Sequence, residues 1–268
     1  MTTVTREGHV AVVALDRPAK RNAMNPDFWE GFPGVIEALD DDLDVRAIVL
    51  RGAGVCFSAG LDVPATMPWL PIQPGIAADG AQRRALHQRI RFMQRAPTVL
   101  ERSRVPVIAA VHGACIGGAV DLITACDVRL CSADARFSVR ETRLAMVADV
   151  GTLQRLPRIV GPGHARELIF TGEDFGAERA AAMGLVNRVL PDPEALFTEA
   201  MRVAQAIAAN APLAVQGCKA VLNEDVRADI DRGLEYVAAW NTGHLFTEDL
   251  VAGMAAFLTK TPPTFQGK

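Results

Sequence analysis

The chain has 268 residues, half of them hydrophobic and 22% charged, with a net charge of −3. That balance excludes intrinsic disorder and allows a core of its own. No excess of Lys and Arg creates a broad basic field, so nucleic acid is not an expected partner. The five cysteines (Cys56, Cys115, Cys126, Cys131 and Cys218) have no CxxC spacing. They suggest free thiols in a cytosolic setting over a disulfide frame or a zinc site.

Residues 1–8 are polar and carry no apolar stretch of the secretory kind. Residues 9–15 (HVAVVAL) are rich in β-branched side chains and predict a strand. Asn25-Pro26 has the form of an N-cap followed by proline in the first turn. Phe28, Phe32, Val35, Ile36 and Leu39 then recur at helical spacing, with a kink expected at Pro33. Residues 45–50 (VRAIVL) predict a second strand, ending in the turn Arg51-Gly52-Ala53-Gly54. Residues 64–80 hold several prolines and glycines and no clear period. They read either as a mobile loop beside a site or as a surface insertion.

Residues 107–111 and 127–131 predict a third and a fourth strand. In the apolar run 105–126 the only ionisable side chains are His112 and Asp121. Pro106, Gly113, Gly117 and Gly118 interrupt it, and a carboxylate in lipid is costly. A buried strand and a buried helix are therefore expected there, with no membrane partner. Residues 135–139 are strand-like. Beyond residue 161, the spans 195–208, 213–222, 230–244 and 250–258 predict helices, and only 185–190 resembles a strand. Strands alternating with helices indicate an α/β fold, with its core in residues 1–195 and a helical region in 196–268.

Familiar catalytic signatures are missing. Gly52-Ala53-Gly54 begins like a dinucleotide fingerprint, but Phe57 occupies the sixth position, where a small residue is needed. The sequence has no GxxxxGK[ST], GxSxG or HExxH pattern. His9, His87, His112, His164 and His244 are scattered, and His112, at a strand end, reads as a satisfied core histidine. Chemistry therefore falls to carboxylates or backbone groups. Asp121, Glu141 and Asp149 stand where apolar residues would be cheaper to bury. Taken singly, Asp149 reads as the cap of a helix beginning near Gly151, and Glu141 as an ion-pair partner of Arg140 or Arg143. Taken together, the three acids point to proton transfer. Ser58-Ala59-Gly60-Leu61-Asp62 follows a strand and a turn, and Gly117-Gly118 opens a helix. Such places leave N–H groups aimed outward, either as ordinary turns or as two donors converging on one oxyanion.

Several segments, in this order, resemble the crotonase (enoyl-CoA hydratase/isomerase) superfamily. They are Leu15-Asp16-Arg17-Pro18, Lys20-Arg21-Asn22-Ala23-Met24, residues 54–62 (GVCFSAGLD), residues 112–127 (HGACIGGAVDLITACD) and residues 257–265. The resemblance implies a crotonase-like spiral of βαβ turns with a C-terminal helical trimerisation region, assembling as a homotrimer or hexamer. It also implies an oxyanion hole for an acyl-CoA thioester, made by the N–H groups of Leu61 and Gly118. Substrate contacts would come from Lys20, Arg21, Ala23, Ser58, Ala59, Gly60, Leu61, Asp62, Gly117 and Gly118, with Lys260 supplied by a neighbouring subunit. Coenzyme A belongs to the substrate, and no separate cofactor or metal is implied.

Within the superfamily, GGxVD at Asp121, V[KR]E at Glu141 and ADVGTLQRLP around Asp149 are similar to Δ3,5-Δ2,4-dienoyl-CoA isomerases of fatty-acid β-oxidation. The segment Glu235-Tyr236-Val237-Ala238-Ala239-Trp240-Asn241 belongs to the same likeness. Ala145 departs from the glycine usual in that group, Val147 from its alanine, and Thr142-Arg143 from a Val-Asp pair. The resemblance implies Glu141 as the base at C2, Asp149 as the acid at C6, and Asp121 as the residue that adjusts the pair. A 2-enoyl-CoA hydratase, with Asp121 and Glu141 holding a water, is the alternative. A non-catalytic acyl-CoA-binding or scaffold member of the fold is the second alternative. The terminal Gln266-Gly267-Lys268 is not a peroxisomal SKL-type tail, and a bacterial or cytosolic setting is expected from it.

Overall fold

The computed structural model describes residues 2–71 and 78–267. In its first half, β1 (Thr2–Glu7) and β2 (Val10–Leu15) form a hairpin, and α1 (Pro26–Asp41) leads to β3 (Ala47–Gly52). Next come α2 (Val63–Thr66), α3 (Gly80–Met93), α4 (Arg95–Arg102), β4 (Val107–Val111), β5 (Ala114–Ile116), α5 (Gly118–Thr124), β6 (Val128–Ser132) and β7 (Arg136–Ser138). The second half holds α6 (Thr152–Val160), α7 (Pro162–Thr171), β8 (Phe175–Gly176), α8 (Ala177–Ala182), β9 (Arg188–Leu190), α9 (Pro193–Ala208), α10 (Pro212–His244) and α11 (Glu248–Thr259). Single 3₁₀ turns cover Pro18–Lys20, Met67–Trp69 and Glu141–Leu144.

From β4 to β7 successive strands alternate between two sheets, which coils this part of the chain. The larger sheet has the order β1-β2-β3-β4-β6-β9, parallel except for the β1–β2 hairpin. The smaller has the order β5-β7-β8. From β4 the chain steps to β5, returns to β6 and steps again to β7, each step out and back being one turn of the coil. A lone bridge from Ser58 to Cys115 adds the segment after β3 to the smaller sheet, and Met24 bridges Leu61 beyond it.

Alternate residues of a strand face opposite sides, so the larger sheet has two cores. Val10, Val12, Ala47, Val49, Ile108, Ala110 and Leu130 meet α9 through Leu196, Ala200, Met201 and Ala204. Ala11, Val13, Ile48, Leu50, Ala109 and Val111 face the other way, into the main core beneath α1, α3 and α5. The first helix of the expected C-terminal region therefore closes one face of the central sheet. Lys219 ties α10 to the same body: its buried ammonium donates to the carbonyls of Leu100 and Val105 and to Asp127.

The predicted strand 107–111 appears with its expected bounds. The others are trimmed or shifted by up to two residues, with β3 running on through Arg51 and Gly52 of the expected turn, and 185–190 shrinks to β9 because Leu185 and Val186 are packed in the turn before it. Helix α1 runs on through Pro33. The separate helices expected at 213–222 and 230–244 are one 33-residue helix. The intervening residues 223–229 are mostly charged or polar and hide the period, yet they include no helix breaker. The expected loop 64–80 begins with α2 and a 3₁₀ turn, and its middle, residues 72–77, lies outside the described residues. Among the described residues no helix is long and apolar enough to cross a membrane.

Ala145 ends the 3₁₀ turn that carries Glu141, and its φ of 54° is left-handed. A Cβ makes that conformation costly by about 1–2 kcal/mol, a penalty that glycine avoids. Ala145→Gly is accordingly expected to raise stability by about 1 kcal/mol, read as a higher urea midpoint at unchanged m-value. A lower midpoint would show that the left-handed turn is not strained.

Candidate active site

A cavity of about 430 Å³ opens where the two sheets and the helical layer meet. Its wall is largely apolar: Trp29 comes from α1, Leu86, Ile90 and Met93 from α3, and Met146, Val147 and Val150 from the loop before α6. Leu245 and Phe257 complete it from the C-terminal end. Three carboxylates, Asp121, Glu141 and Asp149, lie in this wall.

Asp121 is in the first turn of α5, nearly sealed from solvent. Its Oδ1 accepts the Thr152 N–H at 2.5 Å, at the N-terminus of α6. Gly151, the N-cap, has no side chain to do this, and its φ of 138° suits glycine alone. A Cβ there would also sit 1.8 Å from Arg155 Nη1. Asp121, distant in sequence, therefore satisfies a donor that a neighbouring side chain normally takes. The reading of Asp149 as that helix cap is thereby corrected. Beneath this point Arg155 makes a two-pronged ion pair with Glu101, at 3.0 and 2.9 Å.

Asp149 is held instead by α10. Asn241 Nδ2 donates to Asp149 Oδ2 at 2.7 Å and to the Val147 carbonyl at 2.9 Å. Gln94 Nε2 donates to the Asp149 carbonyl at 2.7 Å and to that of Leu234 at 2.9 Å. Glu141 is less constrained, for its Oε2 is buried with no partner among the described residues. The alternative ion pair is absent too: Arg140 binds Asp174, and Arg143 Nε reaches the Thr171 carbonyl.

Burial pushes all three carboxyls upward, because an apolar surround disfavours the ion. Asp121 rises to about 6, held back by Thr152 and the Arg155 guanidinium. Asp149 rises to about 7 through burial, with Asp121 adding to the rise and the Asn241 amide opposing it. Glu141 goes to about 8, through burial and then the repulsion of Asp121 and Asp149. Asp121, anchored on a helix N-terminus, is the acid best able to stay ionised.

The two glycine sites come together. Met24 N–H bonds the Gly60 carbonyl and Asp62 N–H bonds the Met24 carbonyl, which turns the Leu61 N–H to the opposite side. The Gly117 N–H is used by the Ser138 carbonyl. Neither Leu61 N–H nor Gly118 N–H has an acceptor among the described residues. A Cβ on Gly60 would lie 2.3 Å from the Ile116 oxygen and 3.7 Å from Gly118 N. Only glycine at position 60 lets the two segments approach this closely. At Gly117, a Cβ would sit 3.2 Å from Glu141 Oε1, so Glu141 lies at the same end of the cavity as these donors.

Most of the remaining expected contacts reach the cavity. Lys20, Arg21, Ala23, Ala59, Gly60, Leu61, Asp62, Gly117 and Gly118 line it, with Lys20 and Arg21 exposed to solvent. Ser58 does not. It is buried behind the wall, donating to the Asn22 carbonyl and accepting the Gly60 N–H, because its short hydroxyl satisfies the backbone of a sharp turn. Asp62 caps α2 and pairs with Arg17 at 2.5 Å. Lys260 ends α11, exposed and away from the wall of its own cavity. His112 is buried, its Nε2 2.9 Å from the Gly54 carbonyl. Asn22, Gln94 and Asn241 were given no role by the sequence reading. Asn22 proves to be a hub, its amide donating to the carbonyls of Ala53, Cys56 and Phe57.

Known proteins share this arrangement of sequence and fold. The chain is 44% identical to the peroxisomal Delta(3,5)-Delta(2,4)-dienoyl-CoA isomerase of Arabidopsis thaliana over 94% of its own length and 90% of that protein's. It is 42% identical to the mitochondrial isomerase of Homo sapiens over 96% of this chain and 78% of that one. A short-chain-enoyl-CoA hydratase of Clostridium acetobutylicum is 36% identical over 95% of this chain and 93% of that one. Among solved structures, an enoyl-CoA hydratase/isomerase from Xanthobacter autotrophicus Py2 superposes with a TM-score of 0.85 at 31% identity, covering 96% and 93% of the two chains. The expected cytosolic setting is overturned by these likenesses, since the similar isomerases are a peroxisomal protein in A. thaliana and a mitochondrial one in H. sapiens. The family model described as Enoyl-CoA hydratase/isomerase matches residues 5–268, and the chain belongs to that family.

Proposed function

We propose that the chain isomerises 3,5-dienoyl-CoA thioesters to their 2,4-isomers. One observation carries the choice: Asp149 presents its carboxyl to the cavity, and Asp121 has taken the capping role that would otherwise have occupied it. A third acid is thus free for chemistry, beside the two expected of a hydratase. The thioester oxygen sits between the N–H groups of Leu61 and Gly118. Glu141, at that end of the cavity, takes a proton from C2, and the resulting negative charge spreads over the oxygen, C2, C4 and C6. Asp149 returns a proton at C6, leaving double bonds at C2–C3 and C4–C5. Each oxyanion donor is worth about 3–4 kcal/mol of barrier.

Proton counting sets the conditions. The productive enzyme carries one proton on the Glu141–Asp149 pair. Glu141 binds it more tightly than Asp149 does, so the reacting form, with the proton on Asp149 and Glu141 ionised, is the minor arrangement of that singly protonated pair. After turnover the proton is on Glu141, and exchange with solvent restores the starting state. Because the two interact, the titration belongs to the pair, and the fixed charge of Asp121 favours keeping that proton in the site. The apolar wall receives the acyl chain, while Lys20 and Arg21 at the rim meet the coenzyme A phosphates. Lys260 reaches a neighbouring subunit's site in a homotrimer or hexamer. Exposed Leu213, Val221 and Leu222 on α10 support self-association.

The deciding assay follows diene absorbance with a medium-chain 3,5-dienoyl-CoA and, in parallel, hydration of crotonyl-CoA. The wild-type protein is expected to act on the first far faster. Asp149→Asn and Glu141→Gln are each expected to lose about 100-fold or more in kcat. Full isomerase rate in Asp149→Asn would remove the acid assignment, and preferred hydration of crotonyl-CoA would make the chain a hydratase.

The pH profile of kcat/KM is expected to be a narrow bell with limbs set by about 7 and about 8. Below it both members of the pair are protonated and the base is lost; above it the acid is lost. Rates that stay flat from pH 6 to pH 9 would contradict the shared proton.

Stability gives an independent reading of the same burial. Glu141 binds its proton more tightly in the folded chain than in the unfolded one, where its ordinary value is 4.5. Between that pH and about 8 the folded state holds the extra proton, so stability falls as pH rises through the window. Glu141→Gln removes this loss. Its Tm is expected to exceed the wild-type Tm by at least ~2 °C at pH 8 and to match it near pH 4.5. An equal or lower Tm at pH 8 would show that Glu141 is not a costly buried ion.

A further inference from the structure

We propose that Asn241 is a positioning residue that decides which oxygen of Asp149 carries the transferable proton. The inference rests on the reaction proposed above. Asn241 is buried on α10, and its Nδ2 has both hydrogens engaged, one by the Val147 carbonyl and one by Asp149 Oδ2. An amide nitrogen only donates. A flipped amide would set two carbonyl oxygens against each other at Val147, so the orientation is fixed. Oδ2 must therefore accept. In a neutral carboxyl the carbonyl oxygen is the better acceptor, so the proton is left on Oδ1.

The backbone is held by the same device. Gln94 donates from one nitrogen to the Asp149 and Leu234 carbonyls. Residues 147–149 are thus fastened to α10 at Leu234 and Asn241, about two turns apart. The acidic groups acting on Asp149 come from elsewhere: Asp121 from α5 and Glu141 from the 3₁₀ turn. The Asn241 amide is a neutral group that biases the acid without adding charge, and it opposes the upward push of burial.

The test compares Asn241→Leu and Asn241→Asp with wild type, using the full chain and a 3,5-dienoyl-CoA. Asn241→Leu is expected to lose about 10- to 100-fold in kcat with KM within about twofold. Its pH bell should move to higher pH, because the donor favouring ionised Asp149 is gone. Asn241→Asp, of the same shape, donates only when protonated, so its activity should return towards acid pH. It also carries the test if the leucine variant fails to fold. Infrared difference spectra give a readout separate from turnover. The carbonyl stretch of protonated Asp149, identified by its loss in Asp149→Asn, should rise in frequency in Asn241→Leu as its hydrogen bond disappears.

Wild-type kcat with an unmoved pH bell in Asn241→Leu, a wild-type profile in Asn241→Asp, or an unmoved carbonyl band would each overturn the proposal. Asp149→Asn separates this failure from that of the reaction itself. If it is inactive while Asn241→Leu behaves as wild type, only the positioning role falls. If it keeps the full rate, the acid assignment falls first.

Discussion

An apolar chamber can hold little negative charge, and here it is lined by three carboxyls. Ionising all three at once would place like charges together with little water to screen them. Asp121 has the best claim to stay ionised, because its charge rests on the first N–H of α6 and Arg155 lies beneath it. Its charge makes ionisation harder for Glu141 and Asp149, so a proton stays in the site near neutral pH. The capacity to move a hydrogen ion follows from this crowding more than from the strength of any single acid.

The scaffold delivers the crowding through close backbone approaches. Alternation between the two sheets brings the turn after β3 beside the start of α5, and the bare Cα of Gly60 lets them meet. The same approach sets two unpaired N–H groups next to Glu141. The helical C-terminal region is part of this construction. Helix α11 packs on the 3₁₀ turn that carries Glu141, where a Cβ on Gly253 would lie 3.0 Å from the Leu144 backbone. Leu245 and Phe257 close the chamber, and α10 supplies the amide on Asp149. The cavity wall is thus assembled from residues spread between Lys20 and Phe257.

What could be read from the sequence was whatever leaves a local signature. Strands β2, β3 and β4 announce themselves by β-branched residues, and the acids stand out against apolar neighbours. The residues around Gly60 and Gly117 carry their backbone geometry in their composition. The supports of the site were harder to see. Asn241 sits in a long helix directly after the apolar Val237-Ala238-Ala239-Trp240, and Gln94 at a junction between two helices; neither differs in type from a solvated side chain. Only tertiary packing turns them inward. The cap on α6 is hidden for the same reason, since a capping residue is sought next to the helix and here it arrives 31 positions earlier in the chain. Strands β5 and β8, three and two residues long, are too short to show a period.

The position of Asp121 also bears on which reaction the site is built for. Adding water to an enoyl thioester asks two acids to hold one water molecule beside the oxyanion donors, with lone pairs left over to do so. Asp121 has one oxygen committed to the Thr152 N–H, on a side chain a methylene shorter than glutamate. Asp149 meanwhile is fastened by two amides from outside the chamber, an investment that a mere wall residue would not need. A proton donor fixed so firmly suits delivery to a defined carbon along a conjugated chain. On the proposed reaction, a preference for isomerisation would lie in the division of work between two aspartates: one is tied to a helix end and keeps its charge above about pH 6, and the other is pushed up to about 7 and can give its hydrogen away.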